Sequence, residues 1–77
     1  MKLQILGVGC EKCRQLLANA ERAAADFGGG VQIEKVEDLK EIMKFRVLAT
    51  PALAVDGVVK AAGRVLSPDE IKKLLGR

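Results

Sequence analysis

Two cysteines, Cys10 and Cys13, are the residues of this chain whose type and spacing could carry chemistry. They are the only cysteines among 77 residues, and the chain has no histidine. An apolar run precedes them and a stretch rich in alanine and leucine follows, so the pair falls where a strand passes into a helix. A helix N-terminus carries partial positive charge, which favours a thiolate over a thiol. Because a thiolate attacks disulfides and binds soft metals, the pair indicates thiol–disulfide exchange or metal binding.

A purely structural disulfide is the weaker explanation of this pair. The loop that a bond between Cys10 and Cys13 would close has four residues. The chain-entropy relation gives roughly 2 kcal/mol for a loop of that size, less than a long-range bridge would give. The apolar share of 49% is ample to hold a small core. The cysteines are therefore better explained by reactivity.

Charge and aromatic content argue against nucleic acid and membrane partners. The net charge is +3, and basic residues are interleaved with acidic ones along the chain. With no Trp or Tyr and two Phe, the chain has almost no platform for stacking bases. No apolar run reaches the ~18 residues of a membrane span, and the N-terminus leads into the first predicted strand without a secretion signal. We therefore expect a cytoplasmic protein, in which such a pair is more often catalytic or metal-binding than structural.

Hydrophobic periodicity predicts seven elements in the order β-α-β-α-β-β-α. The predicted strands are Lys2–Leu6, Val31–Val36, Ala52–Val55 and Val58–Ala62, and the helices run from Cys10 or Glu11 to Phe27, from Leu39 to Arg46 or Val47, and onward from Pro68 with Ser67 as its N-cap. The βαβ unit implies parallel pairing of the first two strands, and Asp56-Gly57 predicts an antiparallel hairpin. We expect an α/β fold with a mixed four-stranded sheet and helices on its faces.

The two sulfurs are expected to differ in exposure. The apolar stripe of the first helix comprises Cys13, Leu16, Leu17, Ala20, Ala24 and Phe27. Cys10 precedes this stripe by nearly one turn and sits at the helix tip, so Cys10 should face solvent while Cys13 is sheltered. Lys12 and Arg14 favour a Cys10 thiolate and Glu11 opposes it, because each acts through its charge. We therefore expect a moderately activated thiol and a reducing potential.

The element order, the cysteine pair after the first strand and Thr50-Pro51 before the hairpin resemble the thioredoxin/glutaredoxin superfamily. The likeness is closest to small single-domain prokaryotic redox-active disulfide proteins and covers essentially the whole chain. Three stretches carry it: 9–13, 50–57 and 63–67. The resemblance implies that residues 1–77 form one thioredoxin-like domain, a four-stranded mixed sheet flanked by three helices.

The resemblance also implies roles for individual residues. Cys10 would be the nucleophile and Cys13 the resolving thiol, while Pro51, after Thr50, would be the cis-proline that lies against the active-site sulfurs. The implied partners are proteins that carry disulfides, and the implied electron donor is a thioredoxin-reductase-like protein or a small thiol. No tightly bound cofactor or metal is implied, and we expect a monomer.

Four residues around the sulfurs are predicted to offer docking surface to a partner's peptide: Val8, Gly9, Ala49 and Gly63. The chain also departs from the family. Glu11-Lys12 stands between the cysteines in place of the usual Gly-Pro or Pro-Tyr, and Gly63 alone does not complete the glutathione-binding pattern. On the first strand, Gln4 is the one polar candidate for the interior, where thioredoxins typically carry a carboxylate.

Two other functions remain open at this level. The same two thiolates could serve a metal-binding or metal-delivery module, although short domains of that kind end on a strand and this chain ends on a well-capped helix. Structural zinc needs four ligands, and this chain supplies two sulfurs and no histidine. A third interpretation is a redox fold that has lost its chemistry and acts only as an interaction domain.

Overall fold

The computed structural model describes residues 1–8, 11–47 and 49–76. Its elements are β1 (Lys2–Leu6), α1 (Glu11–Phe27), β2 (Gln32–Val36), α2 (Leu39–Lys44), β3 (Ala52–Val55), β4 (Val58–Ala62) and α3 (Pro68–Gly76). The predicted order, the α/β class and the numbers of strands and helices are confirmed. The element that differs most from its predicted bounds is α2, which ends at Lys44. Arg46, at a φ of 59°, takes the left-handed conformation that terminates helices.

The four strands form one mixed sheet in the order β2-β1-β3-β4. Strand β1 is parallel to β2 and antiparallel to β3, so that Leu6 is opposite both Val36 and Ala52. Strands β3 and β4 are antiparallel, with Ala52 opposite Ala62. At the Asp56–Gly57 turn both φ values are positive, 50° and 87°, as the tightest hairpin turns require. The C-terminal ends of β1, β2 and β4 therefore meet the N-terminal end of β3, and we call this edge the site end of the sheet.

The pairing of β3 with β4 contains a bulge. Leu53 is opposite Ala61 while Ala54 is opposite Val59, so Lys60 is the extra residue on β4. A bulge bends the strand that carries it and increases its local twist. One of the two outer strands of the described sheet, β4, is therefore bent at a lysine.

Apolar side chains cover both faces of the sheet because successive strand residues point to opposite faces. Helices α1 and α3 cover the larger core, which contains Leu3, Ile5, Leu16, Ala20, Ala23, Leu53, Val55, Leu66, Ile71 and Leu75. Helix α2 covers a smaller cluster of Leu6, Val36, Ile42 and Ala52. No helix of the described residues is long and apolar enough to cross a membrane.

The buried stripe of α1 differs from its prediction at the C-terminal end. It contains Cys13, Leu16, Ala20 and Ala23, all less than a tenth exposed. Ala23 takes the place predicted for Ala24, which is half-buried. Phe27 is 41% exposed, because it is the last residue of the helix. Its ring lies beside Gly76 at the end of α3. The spacing of three and four residues along the stripe is nevertheless helical, as predicted.

Helix α3 begins with the predicted capping box. The Oγ of Ser67 accepts a hydrogen bond from the N–H of Glu70 at 3.2 Å, and Oε1 of Glu70 accepts one from the N–H of Ser67 at 3.0 Å. Arg64 also binds the carboxylate of Glu70. The backbone hydrogen bond from Ser67, followed by that from the Arg64 side chain, lowers the pKa of Glu70. The carboxylate is therefore the form that the folded protein favours.

We predict that Glu70→Gln destabilises the protein at neutral pH and that the loss disappears in acid. Because the pKa of Glu70 is lowered in the folded state, its contribution is complete above the unfolded-state pKa and is lost as pH falls through the folded-state pKa. Denaturant unfolding of wild type and variant across the acid range measures this. Asp69→Asn is the matched control, since Asp69 is outside the capping box and its side chain is 85% exposed. A Glu70→Gln deficit that persists in acid would contradict the prediction.

Candidate active site

Gly7, Cys13 and Pro51 converge at the site end of the sheet. Gly7 directly follows β1, Cys13 lies in the first turn of α1, and Pro51 directly precedes β3. A Cβ placed on Gly7 would lie 3.4 Å from the Cβ of Cys13 and 3.8 Å from the Cα of Pro51, and it would overlap the Sγ of Cys13. The sulfur therefore packs directly against the backbone of Gly7, and Pro51 lies within van der Waals range of the same position.

Cys13 is 8% exposed, in agreement with its predicted place in the buried stripe. Its sulfur is disulfide-bonded, and the described residues contain no free cysteine. Cys10, the predicted nucleophile, and Gly9, a predicted docking residue, lie outside the described residues. The exposure of Cys10 to solvent therefore stays a prediction.

The segment before β3 is held by backbone contacts. The Thr50–Pro51 peptide bond is cis, and the Pro51 side chain is fully buried. The carbonyl oxygen of Pro51 accepts a hydrogen bond from the N–H of Gly63 at 2.8 Å. A Cβ on Gly63, whose φ is 80°, would lie 3.1 Å from the Cβ of Ala49, so no larger residue fits there without displacement. Two predicted docking residues, Ala49 and Gly63, are thus brought together beside Pro51.

Of the other residues singled out from the sequence, Val8 and Thr50 are exposed at this end of the sheet. Val8 is 53% exposed and directly follows Gly7. Leu48, which precedes Ala49, lies outside the described residues. The exposed part of the described site thus consists of Val8, Ala49, Thr50 and Gly63.

Gly7 is the site residue that the sequence analysis did not single out. Leu3 and Ile5 face the core under α1, and the alternation of a strand continues that face to Gly7. A glycine at an inward position commonly marks a close approach of another group to the backbone. Applied to β1, this rule identifies Gly7 from the sequence as a position where another group approaches the backbone closely.

Gln4, the polar residue of the first strand that was a candidate for the interior, does not lie beside Cys13. Its Nε2 donates a hydrogen bond to Oε1 of Glu34 at 3.0 Å, and its Oε1 accepts one from the N–H of Gly57 at 3.2 Å. Strand alternation places Gln4 on the face opposite Leu3 and Ile5. The amide therefore ties β1 to β2 and to the hairpin turn, and it supplies no polar group to the sulfur.

Charges at the start of α1 largely cancel. Glu11 and Arg14 form an ion pair of 2.8 Å, with their side chains 72% and 71% exposed. Exposed pairs of this kind contribute little to stability. Lys12 between them is exposed. The helix N-terminus and the ammonium group of Lys12 then both contribute positive potential near the first turn.

A small pocket of about 40 Å³ opens beside the buried sulfur. Its lining includes Ile5, Gly7, Cys13, Lys35 and Glu37. The volume exceeds what one water molecule needs. Over residues 1–8, 11–47 and 49–76, no group of three or more His, Cys, Asp or Glu side chains is arranged to hold a metal ion.

Comparison with known proteins agrees with this geometry. The thioredoxin domain family matches residues 1–76, and the chain belongs to that family. It is similar to a thioredoxin of Methanothermobacter thermautotrophicus, with 44% identity over 97% of each chain. It is also 38% identical to a thioredoxin of Methanocaldococcus jannaschii, over 95% of this chain and 84% of the relative. The chain is therefore a thiol–disulfide oxidoreductase by class.

A solved structure supports the fold independently of sequence. It is described as the structure of a malarial protein and matches with a TM-score of 0.72, covering 96% of this chain and 91% of its own. The identity is 16%, so this likeness concerns the fold alone. The predicted thioredoxin-like fold is confirmed.

We predict that Gly7→Ala destabilises the oxidised protein by about 1–3 kcal/mol, the usual cost of forcing an extra carbon into a packed site. The new Cβ would overlap the Sγ of Cys13, so either the sulfur or the end of β1 must move. Chemical denaturation measures the loss. Val8→Ala is the control: Val8 is the neighbouring exposed residue, and a change of no more than about 0.5 kcal/mol is expected. Equal stability of Gly7→Ala and wild type would show that the contact is not tight.

Proposed function

We propose that this protein exchanges disulfides with partner proteins through a dithiol formed by Cys10 and Cys13. The observation that carries the proposal is the packing of the disulfide-bonded Cys13 sulfur against Gly7, with Pro51 beside it. The sequence contains one other cysteine, Cys10, three positions earlier. Family membership supports the same chemistry.

In the proposed cycle Cys10 is the nucleophile. The helix N-terminus stabilises its thiolate, which attacks one sulfur of a substrate disulfide. A Cys10–substrate S–S bond forms, the substrate's own S–S bond breaks, and the electron pair leaves on the second substrate sulfur. Cys13, after losing its proton, then attacks the Sγ of Cys10. The new Cys10–Cys13 bond releases the first substrate sulfur, and the two protons of the dithiol end on the reduced substrate.

The docking surface in this proposal surrounds the segment before β3. Ala49, Thr50 and Val8 are exposed, and Gly63 lies against Ala49. These small and apolar groups leave room for an extended peptide next to the sulfurs. None of these four residues is charged, so their own contacts with a substrate would be with its peptide backbone and apolar side chains.

The remaining parts of the proposal concern electrons and location. A thioredoxin-reductase-like protein or a small thiol would return the protein to its dithiol form. No tightly bound cofactor is needed, because both electrons are carried by the two sulfurs. The proposed compartment is the cytoplasm, where reductants keep such pairs reduced and catalytic.

Substitution of each cysteine in turn tests the two steps of this cycle separately. We predict that Cys10→Ser lowers reduction of insulin by dithiothreitol to the rate of dithiothreitol alone, because no attacking sulfur remains. We predict that Cys13→Ser retains the first step and accumulates a covalent adduct with substrate, because nothing resolves it. Turnover assays and intact-mass measurement of adducts report these outcomes.

The outcomes that would overturn the proposal are equally specific. Wild type that reduces no disulfide with any thiol donor, or Cys10→Ser that retains full activity, would exclude the cycle. Stoichiometric binding of Cu(I) or Zn²⁺ by the reduced wild type, with no exchange activity, would favour the metal-delivery alternative instead.

A charge on the docking surface should weaken the binding of protein substrates and leave the reaction with small disulfides nearly unchanged. We predict that Val8→Glu raises KM for a protein disulfide roughly threefold to tenfold, equivalent to about 1 kcal/mol, while attack on a small aryl disulfide changes little. The matched control is Val58→Glu. Val58 is similarly exposed, at 56% against 53%, but is opposite Val55 at the far end of the sheet. Equal effects of the two substitutions on KM would contradict the assignment of this surface.

A further inference from the structure

The turn between β3 and β4 exposes a chemically labile dipeptide. The sequence contains one aspartate–glycine step, Asp56-Gly57, and the other three aspartates precede larger residues. An aspartyl side chain can cyclise onto the backbone nitrogen of the residue that follows it. The ring closes most readily before glycine, because glycine has no side chain to obstruct it. Both residues of the turn are exposed, so the hairpin carries an intrinsic site of aspartate isomerisation.

The two groups that would react are held by two different neighbours. The nitrogen of Gly57 donates its hydrogen to Oε1 of Gln4 at 3.2 Å. The carboxylate of Asp56 accepts a hydrogen bond through Oδ1 from the N–H of Lys2 at 2.8 Å. Ring closure brings the carboxyl carbon and the nitrogen to bonding distance, so the turn must rotate and both hydrogen bonds must break. Each of them therefore raises the barrier to the reaction.

The Gln4 amide is itself held from its other end. Its Nε2 donates to Oε1 of Glu34 at 3.0 Å, while its Oε1 accepts from the turn. The turn is also joined to the start of β1 through the backbone, because the N–H of Asp56 donates to the carbonyl oxygen of Lys2 at 2.8 Å. These contacts keep Asp56 and Gly57 in the left-handed conformation, at φ values of 50° and 87°.

We propose that Asp56 is a site of isoaspartate formation and that Gln4 and the backbone of Lys2 suppress the reaction in the folded protein. The Gly57 nitrogen bonds to Cγ of Asp56, and the carboxyl hydroxyl leaves with the amide hydrogen as water, which gives a five-membered succinimide. Water then adds to the main-chain carbonyl carbon of Asp56 and breaks its bond to the Gly57 nitrogen. The product has the original mass, and its backbone passes through the former side chain.

The product no longer fits the turn. The backbone between β3 and β4 gains one carbon atom, in a connection of two residues that tolerates few conformations. The carboxylate moves onto Cα, so the hydrogen bond to Lys2 must also change. The reaction involves neither cysteine and needs no oxidant or reductant, so it is independent of the proposed function.

Ageing of the oxidised protein near neutral pH, below its unfolding temperature, tests the proposal. An isoaspartate-specific carboxyl methyltransferase with radiolabelled S-adenosylmethionine counts the product, and peptide mapping assigns its position. We expect Gln4→Met, which removes the acceptor for Gly57, to raise the rate at Asp56 roughly twofold to tenfold, the factor that corresponds to one net hydrogen bond. Lys2→Pro should act similarly, since it removes the N–H that binds the carboxylate, and proline is tolerated at the first residue of a strand.

Ser67→Ala is the matched control for a loss of overall stability. It removes the hydroxyl that accepts from the N–H of Glu70 at the start of α3, a helix cap whose loss destabilises proteins, and it does not touch the hairpin. It should leave the rate at Asp56 unchanged. Wild type unfolded in guanidinium chloride supplies the unrestrained rate, which should exceed the rates of both hairpin variants.

The contrary outcomes are distinct. A wild-type rate in Gln4→Met or Lys2→Pro would overturn the role assigned to that residue. Equal acceleration by Ser67→Ala would show that global unfolding, and not these two contacts, controls the reaction. Folded wild type that isomerises as fast as the unfolded chain, or isoaspartate found only at other aspartates, would overturn the proposal as a whole.

Discussion

The contact between the Sγ of Cys13 and the backbone of Gly7 is the constraint around which this structure is arranged. It leaves no space for a side chain directly after β1, so the residue there must be glycine, and α1 packs its first turn directly onto the end of the strand. Pro51 approaches the same point from the start of β3. The parallel partner β2 then ends beside the sulfur, and the hairpin returns Gly63 to the carbonyl of Pro51. The neighbours of the sulfur thus follow from strand order and register.

Two apolar layers hold the sheet, and Cys13 belongs to neither of the main clusters. A bond that closes a loop of four residues removes less entropy from the unfolded chain than a long-range bridge, and it contributes roughly 2 kcal/mol. The free energy of unfolding should therefore be higher in the disulfide form by an amount of that order.

Much of the fold could be predicted because local patterns determine it. The periodicity of α1, the Asp56–Gly57 turn and the Ser67 cap each fix an element within a few residues. The site was only partly predictable. The spacing of the cysteines indicated the chemistry, but the importance of Pro51 came from resemblance alone. Gly7 was not singled out, although strand alternation places it on the same face as Leu3 and Ile5, which pack under α1.

The kink in β4 bears on how this protein meets other chains. A straight outer strand would present a row of backbone donors and acceptors to any extended segment, including another copy of itself. Here the bulge and the ammonium group of Lys60 interrupt that row. An incoming polypeptide is thereby discouraged from adding a strand at the β4 edge of the sheet. Lateral growth of the sheet into an amyloid-like stack is in this way opposed at that edge.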